Sequence, residues 1–448
     1  MIAPKRQQAR RPWALPALLA RVLPASALLT ACLLLPASLS ADSASAAAEN
    51  APDQRDKPYL VLVSIDGFRW DFAERYGATH IASIGQRGLQ AQALRPAFPT
   101  LTFPNHYSIA TGLLPPRHGL VANEFPSAAR DRWYFYKDRS TVQDGTWYLA
   151  EPIWVTAERA GLRTAAYFFV GTEADVAGIR PTHWNAFDAD ISGEDRVQQV
   201  LDWLVEPPAT RPHLVTLYFE DVDDSTHWYG PGSAESLAAI HRVDRQVGRL
   251  LEGIAALPHG DQVYVVLVSD HGIAPYRPDR EPLVLDKIVD LDGTRVVEGG
   301  PYAWIYFETG DESRPATTRD AINARWDCGR AMLPEEAPAD WQVTASPRYP
   351  DLLVQADPGC AVISSASKRH KITPGDHGWA PDMPEMSGIF YVMGPGIPPG
   401  TRTGPLHVTD VYPLLLSILG LAAPGTLDGD AAALSAALPG LLPRPTLK

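Results

Sequence analysis

"YLVLVSIDGF", Tyr59 to Phe68, is the stretch on which the fold turns. From Tyr59 to Ile65 it is almost continuously apolar, which suits a strand buried on both faces rather than one that alternates between core and solvent. An Asp-Gly pair, Asp66-Gly67, follows at once. Four more runs share this character: "RTAAYFF" (Arg163 to Phe169), "HLVTLYF" (His213 to Phe219), "QVYVVLVS" (Gln262 to Ser269) and "GIFYVMG" (Gly388 to Gly394). Between them lie helical patterns, "PIWVTAERAG", "SGEDRVQQVLDWLV" and "SAESLAAIHRVDRQVGRLLEGIAAL". The alternation predicts an α/β protein with a mostly parallel central sheet and helices on both faces. There is no internal repeat and no heptad seam.

The chain has 448 residues, 45% of them hydrophobic and 20% charged, so it can bury a large core and is not disordered as a whole. Its first fifty residues differ from the rest. Lys5, Arg6, Arg10, Arg11 and Arg21 precede the apolar run "VLPASALLTACLLLPASLSA", and small polar residues follow, the order of a secretory signal. Cleaved export to a periplasmic or extracellular space is the expectation, with the cut between Ser38 and Ala48. Three variants stand beside it: twin-arginine export through Arg10-Arg11, lipidation of Cys32 in "LTAC", and an uncleaved anchor from Val22 to Ala41. Residues 1–48 are then a leader and a short following segment, and 53–448 one domain. Within it, 281–367 is Pro-rich and reads as an insertion or subdomain.

Five basic and no acidic residues precede Asp42, so removing them takes the formal charge from −13 to −18. With that sign, non-specific binding to duplex nucleic acid is not expected. No stable protein partner is implied. Outside the leader two cysteines remain, Cys328 and Cys360, which in an oxidising compartment form one disulfide or else stay as two buried thiols.

In open α/β sheets ligands sit beyond the carboxyl ends of the strands. There the chain places Asp66 in "SIDGF", Asp223 and His227 in "FEDVDDSTHWYGP", and Asp270 and His271 in "SDHG". His377 stands later, in "PGDHGWAPDMPEM". Singly these read as a turn residue, a solvated loop pair, a strand exit and a loop histidine. Jointly they form a carboxylate and imidazole set without cysteine, which suits Zn²⁺ at a hydrolytic site and is large enough for two metals. "RPAFPTLTFPNHYSIATGL", Arg95 to Leu113, adds threonines Thr100 and Thr102 just ahead of a helical segment. A hydroxyl there lies where backbone N–H groups and the helix dipole favour an anion.

Six motifs in order, "SIDGFRWDF", "FPTLTFPNHYSIATGLLPPRHGLVAN", "GIRPTHW", "DVDDSTHWYGP", "VSDHGI" and "GDHGWAPDMPEMSGIFYVMGPGI", resemble the nucleotide pyrophosphatase/phosphodiesterases of the alkaline phosphatase superfamily. The resemblance runs from about Leu60 to Gly420. It implies an alkaline-phosphatase-like fold and two Zn²⁺ per chain, one held by Asp223, His227 and His377 and the other by Asp66, Thr102, Asp270 and His271. It also selects Thr102 as nucleophile over Thr100, Asn123 as donor to the phosphate, and Phe103 and Phe187 as the rings that sandwich a nucleobase. The implied reaction is hydrolysis of nucleotide phosphodiester or pyrophosphate bonds, such as ATP to AMP and pyrophosphate, through a nucleotidyl-threonine.

The sequence departs from the family pattern at Thr226, where glycine is frequent, at Ala380, where an acid or amide is frequent, at Phe169-Val170 in place of Trp-Pro, and at Glu173 in place of aspartate. These departures bear on substrate preference rather than on reaction type. A lipid or choline phosphodiesterase of the same family is the alternative. A phosphomonoesterase would carry serine and arginine, a sulfatase a cysteine or serine before "x-P-x-R", and an inactive scaffold would have lost ligands, whereas all seven are present.

Overall fold

The computed structural model describes residues 49–442 except 309 and 431, and they cluster as one compact unit. The leader and Cys32 lie outside the described residues. No helix among the described residues is long and apolar enough to cross a membrane.

An eight-stranded sheet organises the chain. From one edge its strands are Thr401–Thr403, Leu89–Ala91, Phe390–Met393, Val263–Val268, Tyr59–Ile65, Leu214–Phe219, Thr164–Tyr167 and His183–Trp184. All five runs read from the sequence lie in it. Neighbours are parallel except where Phe390–Met393 pairs antiparallel with Val263–Val268 and with Leu89–Ala91. The sheet is thus mixed but mostly parallel.

Its central strand shows why the apolar run is continuous. Leu60 and Leu62 face a core built with Tyr107, Trp154 and Leu415, while Val61, Val63 and Ile65 face a second core with Ile84, Val200 and Val243. Helices Thr102–Thr111, Ile153–Arg159 and Val411–Leu419 supply the first face; Thr79–Arg87, Gly193–Leu204 and Ala234–Ala256 supply the second. The two long helices on that second face begin at serine caps. The Ser192 hydroxyl accepts from the Asp195 N–H and the Ser233 hydroxyl from the Ser236 N–H, contacts worth about 1 kcal/mol each.

Between the sixth and seventh large-sheet strands in chain order, the chain builds a four-stranded antiparallel sheet. Its order is Thr294–Glu298, Tyr302–Phe307, Leu352–Ala356, Gly329–Met332, with helix Arg314–Asn323 against it. Ile305, Ile322, Leu352 and Val354 form its own apolar cluster. Cys328 and Cys360 are disulfide-bonded. Closing a loop of that length stabilises the fold by roughly 3–4 kcal/mol in the chain-entropy model.

For the site, one relationship matters most. Tyr59–Ile65 lies between Leu214–Phe219 and Val263–Val268, parallel to both, with Ile65 opposite Phe219 and Ser64 opposite Val268. Three adjacent strands therefore end together, and the residues that follow each one share a single edge.

Candidate active site

Asp66, Asp223 and Asp270 leave those three strands at that edge. Asp66 follows its strand directly, Asp270 comes two residues after its own, and Asp223 lies in the first turn of helix Asp221–Tyr229. His227 is one turn further along that helix, on the same face. Gly67 lets them approach: its φ is +65°, and a Cβ there would sit 2.7 Å from Asp223 Oδ1. Any side chain at Gly67 would push Asp223 away.

Two groups of potential ligands result, Asp223 with His227 and His377, and Asp66 with Asp270 and His271; within each, donor atoms lie within 4.8 Å of one another. His271 Nε2 is 3.4 Å from Asp66 Oδ1 and 3.1 Å from Asp270 Oδ2. In the other group His377 Nε2 is 3.8 Å from Asp223 Oδ1, and across the divide the His271 and His377 rings stack at 3.7 Å. Thr102 is the first residue of helix Thr102–Thr111, and its hydroxyl is 3.3 Å from His271 Nε2. The structure therefore brings all seven residues together.

Electrostatics show what this arrangement is built to hold. Burial, then repulsion from Asp270 and Asp223, pushes the Asp66 carboxyl well above the usual range; burial, then Asp270 and Asp224, does the same to Asp223. Asp270 is pushed up by burial too, but His106 and His271 outweigh it and hold it low. Burial depresses His271 and His377, so both imidazoles are neutral and carry a free lone pair. Asp66 Oδ1 and Asp223 Oδ1 are buried and accept no hydrogen bond. Acids desolvated together, with unpaired oxygens and neutral imidazoles beside them, fit divalent cations of the zinc type.

Three residues that support this cluster, Tyr218, His106 and Thr373, were not singled out from the sequence. The Tyr218 hydroxyl donates to Asp66 Oδ2 at 2.6 Å. His106 lies one turn after Thr102, with Nδ1 3.1 Å from Asp270 Oδ2 and Nε2 2.8 Å from the Ser64 hydroxyl. Burial lowers the His106 pKa, but Asp270 more than offsets it and raises the value to about 8. His377 Nδ1 donates to the Thr100 carbonyl, and the Thr373 hydroxyl lies 3.3 Å from His227 Nδ1. The spacing from Thr102 to His106 is a signal that points to the helix face; the other partners meet only through space. The Thr100 carbonyl thus supports His377 from the helix entry.

The cluster opens into a cleft of about 650 Å³. Asn123 lines it and accepts from the Phe103 N–H through Oδ1 at 3.1 Å, which leaves the amide N–H groups for a ligand oxygen. Phe103 and Phe187 also line the cleft, on different walls. Phe103 packs edge-on against Tyr134 and Tyr136, whereas Phe187 packs against Phe168 and Tyr218.

Glu173 secures the Phe187 wall. Its Oε1 accepts from the Phe187 N–H at 2.9 Å, and its Oε2 pairs with Arg139, which donates in turn to the Phe187 carbonyl at 2.8 Å. Gln143 adds a bond to the same carboxylate at 3.1 Å.

The family model for type I phosphodiesterase / nucleotide pyrophosphatase matches residues 60–380. Mouse ectonucleotide pyrophosphatase/phosphodiesterase family member 1 is 30% identical over 378 residues, covering 83% of this chain and 42% of the mouse protein. The chain thus spans less than half the length of that relative. Human bis(5'-adenosyl)-triphosphatase ENPP4 is 30% identical, covering 81% of this chain and 78% of its own. Among solved structures, murine ectonucleotide pyrophosphatase/phosphodiesterase 5 superposes with a TM-score of 0.79 at 27% identity, covering 85% of this chain and all of the other. An inactive threonine-to-alanine form of that murine protein in complex with AMP matches equally well. The chain belongs to the type I phosphodiesterase / nucleotide pyrophosphatase family.

Proposed function

We propose that this chain is an exported, two-zinc hydrolase of nucleotide phosphodiester and pyrophosphate bonds, with its catalytic domain at 53–448. The observation that carries the reading is the Thr102 hydroxyl, set at a helix N-terminus 3.3 Å from His271 and within one cluster with two ligand groups. Asp223, His227 and His377 would hold one Zn²⁺, and Asp66, Asp270, His271 and the Thr102 oxygen the other. Bound zinc supplies positive charge that eases ionisation of the threonine hydroxyl and offsets negative charge on the phosphoryl oxygens.

The chain's own groups do the rest. Thr102 Oγ, its proton lost to solvent, attacks phosphorus in line; an Oγ–P bond forms as the bond to the leaving oxygen breaks, giving nucleotidyl-Thr102 and the departing anion. Asn123 donates to a non-bridging oxygen and fixes the phosphoryl orientation. Water then attacks the same phosphorus, frees Thr102 and releases the nucleoside monophosphate. Phe103 and Phe187 hold the base between the two walls. Human ENPP4, a bis(5'-adenosyl)-triphosphatase, and the AMP complex of the murine relative support a small nucleotide substrate. The basic, then apolar, leader supports export. The acidic net charge argues against duplex nucleic acid as substrate.

A substrate panel on the purified enzyme tests the reading. ATP and nucleotide diesters should be cleaved with release of monophosphate, phosphomonoesters far more slowly. Preferential cleavage of choline or glycerophospholipid diesters would move the assignment to the lipid branch of the family.

A further inference from the structure

Three imidazoles face the two ligand groups, and each is held through its far nitrogen. His271 Nδ1 donates to the Gly272 carbonyl at 3.0 Å and His377 Nδ1 to the Thr100 carbonyl at 2.8 Å, both backbone acceptors. His227 is held differently. Its Nδ1 lies 3.3 Å from the Thr373 hydroxyl, which donates its own proton to the Gly375 carbonyl at 2.8 Å. A hydroxyl so committed only accepts, so the proton sits on His227 Nδ1 and the lone pair on Nε2, 3.4 Å from Asp223 Oδ2.

Beside that contact lies a carboxylate with no role in the site so far. Asp376 is buried, and its Oδ1 stands 3.7 Å from His227 Nδ1. Among the described residues no lysine or arginine pairs with it, and His227 is the one basic side chain within 4 Å. Its orientation is fixed from two sides: Oδ1 accepts from the His377 N–H at 2.8 Å and Oδ2 from the Tyr276 hydroxyl at 2.5 Å. The small antiparallel sheet closes in behind them. At Gly300, in the bend between Thr294–Glu298 and Tyr302–Phe307, φ is +79°, and a Cβ would collide with the Tyr276 hydroxyl and come within 2.9 Å of Asp376 Oδ2. The charge on Asp376 also reaches Asp223, adding to the repulsion its carboxyl feels. An acid buried without a cation is costly, and this one sits directly behind a group of potential ligands. The other group is supported elsewhere, by Tyr218 on Asp66 and His106 on Asp270.

We propose that Asp376, aimed by Tyr276, is a positioning residue for His227: with the Thr373 hydroxyl it fixes the imidazole and lends it negative charge, and so sets the zinc affinity of the Asp223, His227, His377 position alone. The proposal rests on the two-zinc reading above and adds to it a residue that controls one cation position without the other. It also gives the small sheet a task, since its bend at Gly300 leaves room for the hydroxyl that aims the carboxylate. A carboxylate behind a ligating imidazole raises its basicity, and loss of such a partner lowers metal affinity about 10- to 100-fold.

The test is zinc binding to the metal-free full chain, read by competition with a chromogenic chelator, in wild type, Asp376→Asn and Tyr276→Phe. His377→Ala identifies which of the two binding steps belongs to the Asp223 group. That step should weaken about 10- to 100-fold in Asp376→Asn and by a smaller factor in Tyr276→Phe, while the other step is unchanged. The zinc concentration needed for half-maximal turnover should rise by the same factor. Both steps weakened alike would mean that Asp376 only supports packing, and two unaltered steps would make it a spectator; either result overturns the positioning role and leaves the hydrolase reading intact. Should Asp376→Asn fail to fold, Tyr276→Phe decides on the same readout. A wild type that binds fewer than two zinc ions overturns the two-zinc reading and this proposal with it.

Discussion

Thr100 and His377 are joined by a hydrogen bond of 2.8 Å from the imidazole Nδ1 to the threonine carbonyl. The Thr100 hydroxyl secures the same loop twice more, donating to the Trp379 carbonyl at 2.8 Å and accepting from the Gly378 N–H at 2.9 Å. Two threonines in one short motif thus have separable duties. Thr102→Ala should lower turnover at least about 1,000-fold while the six other ligands retain zinc. Thr100→Ala should lower stability by about 1–3 kcal/mol, through two lost hydrogen bonds, with a much smaller loss of turnover. Steady-state rates, metal content and thermal melts of both variants decide this; an exchange of the two phenotypes would show that the nucleophile is Thr100.

Chelation with EDTA should abolish activity, and Zn²⁺ should restore it. Metal-free protein should also respond to pH in a defined direction. The Asp66 and Asp223 carboxyls are raised by burial and by neighbouring acids, so their contribution to stability is present below the ordinary carboxylate range and is lost as pH rises through their folded values. The gap in Tm between zinc-loaded and metal-free protein should therefore widen from about pH 5 to pH 8. A gap independent of pH, or full activity in verified metal-free enzyme, contradicts the site.

Phe103→Ala should raise KM for nucleotides about 5- to 100-fold while hydrolysis of a small base-free diester changes little. Equal losses on both would mean that the ring only supports packing.

Arg139→Ala should weaken nucleotide binding without touching the base directly, because it frees both Glu173 and the Phe187 carbonyl. A rise in KM of a few-fold is expected, partly rescued by Arg139→Lys. With its carboxylate committed to Arg139, Gln143 and the Phe187 N–H, Glu173 is not placed to read a base edge, so the four common nucleotides should differ little in kcat/KM. Strong selection of one base would refute this.

Acid should destabilise the fold partly through two histidines remote from the cluster. Burial pushes His118 down to about 3 and His407 down to about 4 from the ordinary 6.5. Below pH 6.5 the unfolded chain binds protons that the folded chain refuses, so stability is present above that value and falls as pH drops toward the folded values. Each histidine contributes a slope of up to about 1.4 kcal/mol per pH unit. Denaturant melts between pH 6.5 and 4 should show a shallower slope in His118→Asn, and an unaltered slope would exclude the role.

How much of this was legible in the sequence varies with the physics of each element. Tyr59–Ile65 is read to the residue because burial on both faces leaves an unbroken apolar run. Phe390–Met393 is read as a strand but not as antiparallel, since hydrophobic pattern carries no direction. Leu89–Ala91, His183–Trp184 and Thr401–Thr403 are too short to display any period. In the site, residues at strand ends and in ordered motifs stand out. Tyr218 and Thr373 do not, because each works through a hydroxyl that meets its partner only after the sheet and the late loop have come together.

The two ligand groups also differ in when they can exist. Asp66, Asp270 and His271 are all present once the chain has passed residue 271, whereas Asp223 and His227 wait for His377, which arrives only after the small antiparallel sheet and its disulfide. A chain synthesised N-terminus first thus completes one half of its site well before the other. The bridge between Cys328 and Cys360 falls inside that interval, so oxidative closure of the small sheet precedes, in chain order, the delivery of the last imidazole.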